Sequence, residues 1–251
     1  MMHNLFKFEG RIERLELSEA MLDALGGGTD NFITSSAILS GVTGSVSLGA
    51  QTVFLASKSK LLIDTMVMEV DGKICIGKFH RIYLKEGDYV VCVAKNIRNN
   101  VYELYSVLSP ESGLLYMQVG MGGAIKPMKK LTKKSTYFLF FISALFTSFV
   151  SFYNEELNVF NILTFIPILI LGYLIIYYLI QWASQPVFEL SKISEKVFEK
   201  YGFKDPENIY LLSGRYTDKK ERRFLESVYE YRRVIKEDPY PEGYIGTKKK
   251  K

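Results

Sequence analysis

The segment LTFIPILILGYLIIYYLIQW, from Leu163 to Trp182, contains no charged residue. The uncharged run extends further, from Leu157 to Phe188. About 20 apolar residues are enough to cross a hydrocarbon core about 30 Å thick. A core helix of a soluble domain is usually shorter and carries a polar stripe, which this run lacks. We therefore predict a transmembrane helix over about 159–182, with its tyrosines and tryptophan near one membrane surface.

A second uncharged run, STYFLFFISALFTSFVSFY, lies just upstream, from Ser135 to Tyr153. Its length is close to the minimum that a membrane span needs. Two interpretations stay open for this run. It is either a second membrane span or a hydrophobic core helix beside a single span.

The short sequence NEELN joins the two runs, and Glu155 and Glu156 are its only charged residues. A connection of about five residues can join two antiparallel helices. We therefore predict a transmembrane helical hairpin over 126–185. Its spans are expected at about 135–153 and 159–182, with the turn at the two glutamates.

A lysine cluster precedes the first span, and its members are Lys126, Lys129, Lys130, Lys133 and Lys134. Lysine and arginine near a span resist translocation, whereas carboxylates count little. The cluster therefore predicts that this flank stays in the cytoplasm while the NEELN turn crosses the membrane. A multi-pass protein with both termini cytoplasmic follows.

The N-terminal part, residues 1–125, shows β patterning. TMVMEV and KICIGKF flank Asp71-Gly72, and Asp-Gly between two β-rich runs is the strongest short signal for a hairpin. About six short strands with regular turn signals predict a small OB-like or SH3-like barrel or sandwich. Stacking aromatics with interleaved basic residues are missing from these strands, so no nucleic-acid partner is expected.

An insert at about 26–58 interrupts this β domain and is rich in Gly, Ser and Ala, with no charge between Asn31 and Ser57. Four small residues lie four positions apart: Ala37, Gly41, Ser45 and Gly49. On a helix they would form a packing ridge of the kind found between membrane helices. A flexible loop is the other interpretation. A phosphate-binding P-loop is excluded because no Gly-Lys-Ser/Thr follows the glycines.

The C-terminal part, residues 186–238, is predicted to be a cytosolic helical region. Pro186 is expected to end or kink the second span, and Gly202 to stop the helix after it. Asp218 and Glu221 are spaced as a capping box. They would open a last helix whose apolar stripe is Phe224, Val228, Tyr231 and Ile235. Residues 239–251, which end in four lysines, are predicted to be a disordered basic tail.

No catalytic motif is found in the chain, so an enzyme is not expected, and neither is a cofactor or a metal. The two histidines and two cysteines do not have the spacing of a zinc site. Cys75 and Cys92 fall on predicted strands, where reduced, packed thiols are expected, with a disulfide as the alternative. The predicted spans contain no ionisable group, which argues against a proton relay or an ion-coupled transporter.

Several segments resemble the effectors of the type VI secretion system of Gram-negative bacteria. They are EGRIERLELSEAMLD, TSSAILSGVTGSVSLGA, DGKICIGKF, LKEGDYVVCVAK and ISEKVFEKYGFKDPENIYLL. The similarity covers most of the chain up to about Leu212. At LYMQVGMGGAIK the chain departs from a WxxPHCxRG-like pattern and lacks its His and Cys. The resemblance implies a location in the bacterial inner membrane and a role in competition between bacteria.

The sequence thus predicts an α+β membrane protein whose partners are the lipid bilayer and, in addition, a protein partner or further copies of itself. The first functional hypothesis is a secretion-associated effector that acts by membrane insertion or permeabilisation. The alternative is a resident inner-membrane adaptor or immunity-like protein whose β domain binds a protein. A membrane-anchored enzyme is a third.

Overall fold

The structure is a computed structural model that describes residues 4–22, 61–98, 100–152, 159–218 and 223–246. Two sets of predicted residues lie outside the described residues. They are the small-residue ridge (Ala37, Gly41, Ser45 and Gly49) and the glutamates of the hairpin turn (Glu155 and Glu156).

In the described ranges, the secondary structure consists of strands, two long helices and short 3-10 turns. The strands are β1 (Leu5–Leu22), β2 (Leu61–Val70), β3 (Lys73–Phe79), β4 (Tyr89–Arg98), β5 (Val101–Ser109), β6 (Leu114–Met117), β7 (Arg215–Asp218) and β8 (Arg223–Glu230). The long helices are α1 (Ile125–Phe152) and α2 (Val159–Tyr201). The 3-10 turns are Pro206–Asn208, Leu211–Gly214 and Tyr231–Arg233.

The first five strands close into a barrel in the order β1-β2-β3-β5-β4-β1. The β3–β5 pairing is parallel and the other pairings in the ring are antiparallel. A small closed barrel removes exposed strand edges. The predicted α+β class and the predicted small N-terminal barrel are confirmed.

The strand β5 carries two different partners on its second edge. Its first residues pair with β3 and close the barrel, whereas Ser106–Ser109 pair with β6. The sheet then continues through β8 to β7. Strands that precede α1 in the sequence and strands that follow α2 therefore belong to one continuous sheet, which connects the C-terminal part to the barrel.

Two apolar clusters lie on the two sides of the barrel wall. The interior cluster includes Ile12, Met66, Met68, Cys75, Phe79, Cys92, Leu104 and Val107. The outer cluster lies where the end of α2 covers β4 and β5, and it includes Val91, Val93, Tyr105, Leu190, Val197, Phe198 and Tyr201. Alternate residues of β4 thus face opposite clusters, as the period of a strand requires.

The Asp71-Gly72 hairpin is confirmed. Val70 pairs with Lys73, and both turn residues have a positive φ, 51° at Asp71 and 65° at Gly72. Positive φ at both central residues is the mark of the type I′ turn, whose twist matches that of the flanking strands.

Replacing Gly72 by valine is expected to lower the free energy of unfolding by about 1–2 kcal/mol, because a β-branched residue disfavours the left-handed conformation. Gly72→Asn is the matched control, since asparagine tolerates this conformation. Thermal unfolding of both variants in mild detergent checks the prediction. Equal melting temperatures for the two variants would contradict it.

The predicted last helix is wrong. Arg215–Asp218 and Arg223–Glu230 form the antiparallel pair β7–β8, and β8 pairs with β6 through Val228 and Tyr229. Residues four apart, such as Phe224 and Val228, share a face on a strand as well as on a helix, so their spacing does not separate the two. The strand is favoured by the high β propensity of Val228 and Tyr229 and by the edge of β6, which is available for pairing.

The prediction that Pro186 ends the span is wrong, since α2 runs from Val159 to Tyr201 with Pro186 inside it, while the alternative of a kink at Pro186 stays a prediction. The helix stop at Gly202 is confirmed, with φ of 77°. The disordered tail is wrong for residues 239–246. Tyr240 is buried there and donates a hydrogen bond to the carbonyl of Tyr201, 3.0 Å away.

Candidate functional site: an exposed apolar helical hairpin

The helices α1 and α2 expose large apolar side chains to a degree unusual for a folded chain in water. Phe146 is 70% exposed and Trp182 is 78% exposed. The other exposed members are Tyr137, Phe138, Leu139, Phe141, Ile142, Leu145, Phe149, Ile166, Ile168, Ile170, Leu171, Leu174, Ile175, Tyr177, Tyr178 and Leu179. A contiguous apolar surface of this extent marks a site of contact with a membrane or a partner.

Within the described residues, one helix is long and apolar enough to cross a membrane, Phe165–Tyr201, and its apolar window has no buried residue. This agrees with a span in the uncharged run that contains Leu163–Trp182. A core helix of a soluble domain would be mostly buried, whereas the described residues leave α2 uncovered in this window.

The two helices contact each other through residues spaced three or four apart. The row on α1 is Thr132, Thr136, Phe140, Ala144 and Ser148, and the row on α2 is Phe165, Leu169, Tyr173, Ile176 and Ile180, all partly or fully buried. The Tyr173 ring lies 5.1 Å from Phe140 and 6.5 Å from Tyr137, measured between ring centroids. Tyr137 and Tyr173 lie at similar chain distances from the connecting segment, so the helices are antiparallel.

Small residues let the helices approach closely, as in membrane helix pairs. The row on α1 contains small residues beside Phe140, and the small-residue ridge predicted at Ala37, Gly41, Ser45 and Gly49 stays a prediction. Gly172 does not take part, because a methyl group added there would touch nothing within 4 Å.

Three hydroxyl groups of α1 donate to the backbone of their own helix. Thr136 Oγ1 donates to the Thr132 carbonyl at 3.0 Å, Thr147 Oγ1 to Ser143 at 2.8 Å, and Ser148 Oγ to Ala144 at 2.7 Å. A hydroxyl bonded in this way needs no water partner for its proton. These residues therefore suit a lipid environment and offer little polar lining to a pore.

The predicted orienting lysines all lie on the first turns of α1, and all five are exposed: Lys126, Lys129, Lys130, Lys133 and Lys134. We call them the lysine stripe. Lys126 Nζ forms an ion pair with Glu207 Oε1 at 3.1 Å. The ammonium group of Lys133 lies 5.8 Å from the centroid of the Tyr137 ring, within cation–π range.

The C-terminal part of α2 is a rigid joint between the hairpin and the barrel. Tyr201, 1% exposed, donates a hydrogen bond to the Val91 carbonyl at 3.2 Å, and its hydroxyl lies 2.9 Å from Ser106 Oγ. Burial raises the pKa of the Tyr201 phenol well above its usual value, so it stays protonated and can donate. Phe203 stacks on the Tyr201 ring at 5.4 Å.

The start of α1 is fixed to the same joint. The Gly122 amide donates to Ser194 Oγ of α2 at 3.2 Å, and the Ile125 amide donates to Glu195 Oε2 at 3.4 Å. The Ala124 amide donates to the Ile209 carbonyl at 2.9 Å. Both helices therefore leave the barrel from one anchored base. Local sequence patterns do not reveal this joint, because its bonds between the start of α1 and α2 join positions about 70 residues apart.

The two cysteines lie on β3 and β4 of the barrel. Cys75 and Cys92 are free and buried in the barrel, as predicted. Burial raises the pKa of the Cys75 thiol to about 12, which leaves it without thiolate at neutral pH. The described ranges contain no group of three or more His, Cys, Asp or Glu residues that could hold a metal ion.

Comparisons of the chain with protein-family models, curated proteins and solved structures find no match.

Proposed function

We propose that the protein is a resident protein of the bacterial inner membrane. Its α1–α2 hairpin is a two-span anchor, and its barrel binds a protein partner on the cytoplasmic side. The observation that carries the proposal is the outward apolar surface of both helices, which no described part of the chain covers. Lipid is the solvent in which such a surface is stable.

The lengths of the two helices support the anchor. At about 1.5 Å per residue, the uncharged part of α1 from Ser135 to Phe152 is about 27 Å long. The part of α2 from Val159 to Gln185 is about 40 Å long on the same basis. The α1 segment therefore matches a hydrocarbon core about 30 Å thick. The α2 segment is longer than this core, and a tilt of the helix would accommodate the difference.

The polar groups favour an anchor over a pore. A stable ion path needs rings of polar or charged groups, whereas the hydroxyls of Thr136, Thr147 and Ser148 are bonded within α1. In addition, α2 continues without a break into the core that covers β4 and β5. A helix fixed in this way holds the barrel at a constant position against the membrane surface.

The barrel is the part available to a protein partner. Among the described residues, the end of α2 covers β4 and β5 and leaves the outer face of β2 and β3 uncovered. On that face Val67 and Ile74 are exposed beside the Arg14–Glu16 ion pair. An apolar pair within a charged rim is typical of a transient protein contact.

Membrane fractionation tests the anchor. The protein is expected to remain in the membrane pellet after a high-salt wash and after an alkaline carbonate wash, because burial of two apolar helices depends on neither ionic strength nor pH. Release by carbonate would show that the hairpin covers another protein surface and is not embedded in lipid. Release by salt alone would show an electrostatic attachment.

A second candidate follows from the resemblance to type VI effectors, in which the hairpin inserts into a target membrane and permeabilises it. The exposed hydroxyls of Ser135 and Ser143 on α1 favour it, because an assembly of several copies could turn them toward a shared path. Expression in bacteria with a membrane-potential dye separates the candidates. Rapid depolarisation supports the effector, and a maintained potential supports the resident anchor.

A further inference from the structure

The lysine stripe occupies one side of α1. At about 100° per residue, the five lysines fall within an arc of about 140°. Met128 and Thr132, which are partly buried, lie on the opposite side, where α1 approaches the rest of the protein. The sequence pattern and the exposure together place five ammonium groups on one outward face.

This face has almost no counter-charge of its own. In the described part of the chain, Lys126 is the one member of the stripe that forms an ion pair, with Glu207. Residues 125–152 include no Asp or Glu, so the helix supplies no acid of its own along its length. Cations in the first turns of a helix also oppose its dipole. The stripe is therefore unfavourable for the isolated helix and calls for an anionic partner.

The depth of the stripe identifies that partner. Lys133 and Lys134 directly precede the uncharged run of α1. Because α2 is antiparallel and the Tyr137 and Tyr173 rings are adjacent, the exposed rings of Tyr178 and Trp182 lie at about the same level. Exposed tyrosine and tryptophan favour the headgroup layer. The ammonium groups are therefore at the depth of lipid phosphates.

We propose that the lysine stripe binds the headgroups of anionic phospholipids in the leaflet that faces the barrel. This inference rests on the proposed membrane anchor. Lipid phosphates would neutralise the stripe and would fix the depth of α1.

The test uses the full-length protein reconstituted in vesicles that contain spin-labelled phosphatidylglycerol or spin-labelled phosphatidylcholine. Electron spin resonance measures the association of each lipid with the protein. Because each lysine near an anionic surface adds about five-fold in affinity, we expect a preference for phosphatidylglycerol of about five-fold or more. The preference is expected to weaken as salt is added.

Two triple variants with the same change in charge sharpen the test. Lys130, Lys133 and Lys134→Gln should reduce the preference by about five-fold or more, while Lys126 and Lys129 stay in place. The control is Lys192, Lys196 and Lys200→Gln, which removes three lysines from the C-terminal part of α2, next to the barrel. It should leave the preference unchanged.

Several outcomes would overturn the proposal. If the wild-type protein binds both lipids equally, or if the stripe variant keeps the preference, the lysine stripe is not a lipid site. Either result would leave the proposed membrane anchor unaffected. Equal losses in both triple variants would show a general effect of net charge. A protein that fails to enter vesicles of either composition would overturn the anchor as well. If the stripe bound an oligonucleotide more tightly than phosphatidylglycerol, its ligand would be a nucleic acid and not a lipid.

Discussion

Replacing both Leu171 and Leu174 by arginine is expected to release the protein from the membrane. The two leucines lie near the middle of the uncharged part of α2 and are 60% and 43% exposed. An arginine at the centre of a membrane helix costs about 2.5–3.5 kcal/mol, so the pair costs about 6 kcal/mol. Insertion of α2 should then fail, and the alkaline carbonate wash should release the protein into the supernatant.

The matched control adds the same two charges to the barrel. Phe6 and Ile74 are exposed on its surface, and their replacement by arginine leaves the hairpin unchanged. This double variant is expected to stay in the membrane pellet like the wild-type protein. If both double variants stay in the pellet, the outward face of α2 does not meet lipid.

Replacing Tyr201 by alanine is expected to loosen the barrel from the hairpin and to lower the free energy of unfolding by about 3–5 kcal/mol. The ring fills the space between β4, Phe203 and Tyr240, and its hydroxyl donates to the buried Val91 carbonyl. Tyr201→Phe keeps the ring and should cost about 1–3 kcal/mol, because the carbonyl then loses its donor.

Hydrogen exchange of the β4 and β5 amides in mild detergent measures these costs where the joint covers the barrel. Tyr178→Ala is the control, since Tyr178 is on the same helix and is exposed. In the Tyr178→Ala variant, the β4 and β5 amides should exchange as in the wild-type protein. Unchanged exchange in Tyr201→Ala would show that α2 does not stabilise the barrel.

The barrel strands and the two helices could be predicted because their signals are local. The Asp71-Gly72 turn depends on the φ values of two adjacent residues, and each apolar run is a continuous stretch of sequence. The structure confirms the turn and a helix in each run. Local chemistry decides these elements with little help from the rest of the chain.

The β7–β8 pair and the joint could not be predicted because distant residues decide them. The strand β8 forms at the edge of β6, about 110 positions earlier in the chain. Tyr240 is ordered because its hydroxyl bonds the end of α2, and Lys7 Nζ donates to that hydroxyl at 3.2 Å. A spacing rule cannot anticipate partners at such separations.

We propose that α1 and α2 cross the membrane as a hairpin, with the barrel and both helix bases in the cytoplasm. Cysteine labelling with a membrane-impermeant maleimide tests it most directly, in a variant in which Cys75 and Cys92 are replaced. A cysteine at Asn154 should be labelled in intact spheroplasts. A cysteine at the exposed Lys129 or Lys192 should be labelled only after lysis. Labelling at Lys192 without lysis, or protection at Asn154, would contradict the hairpin.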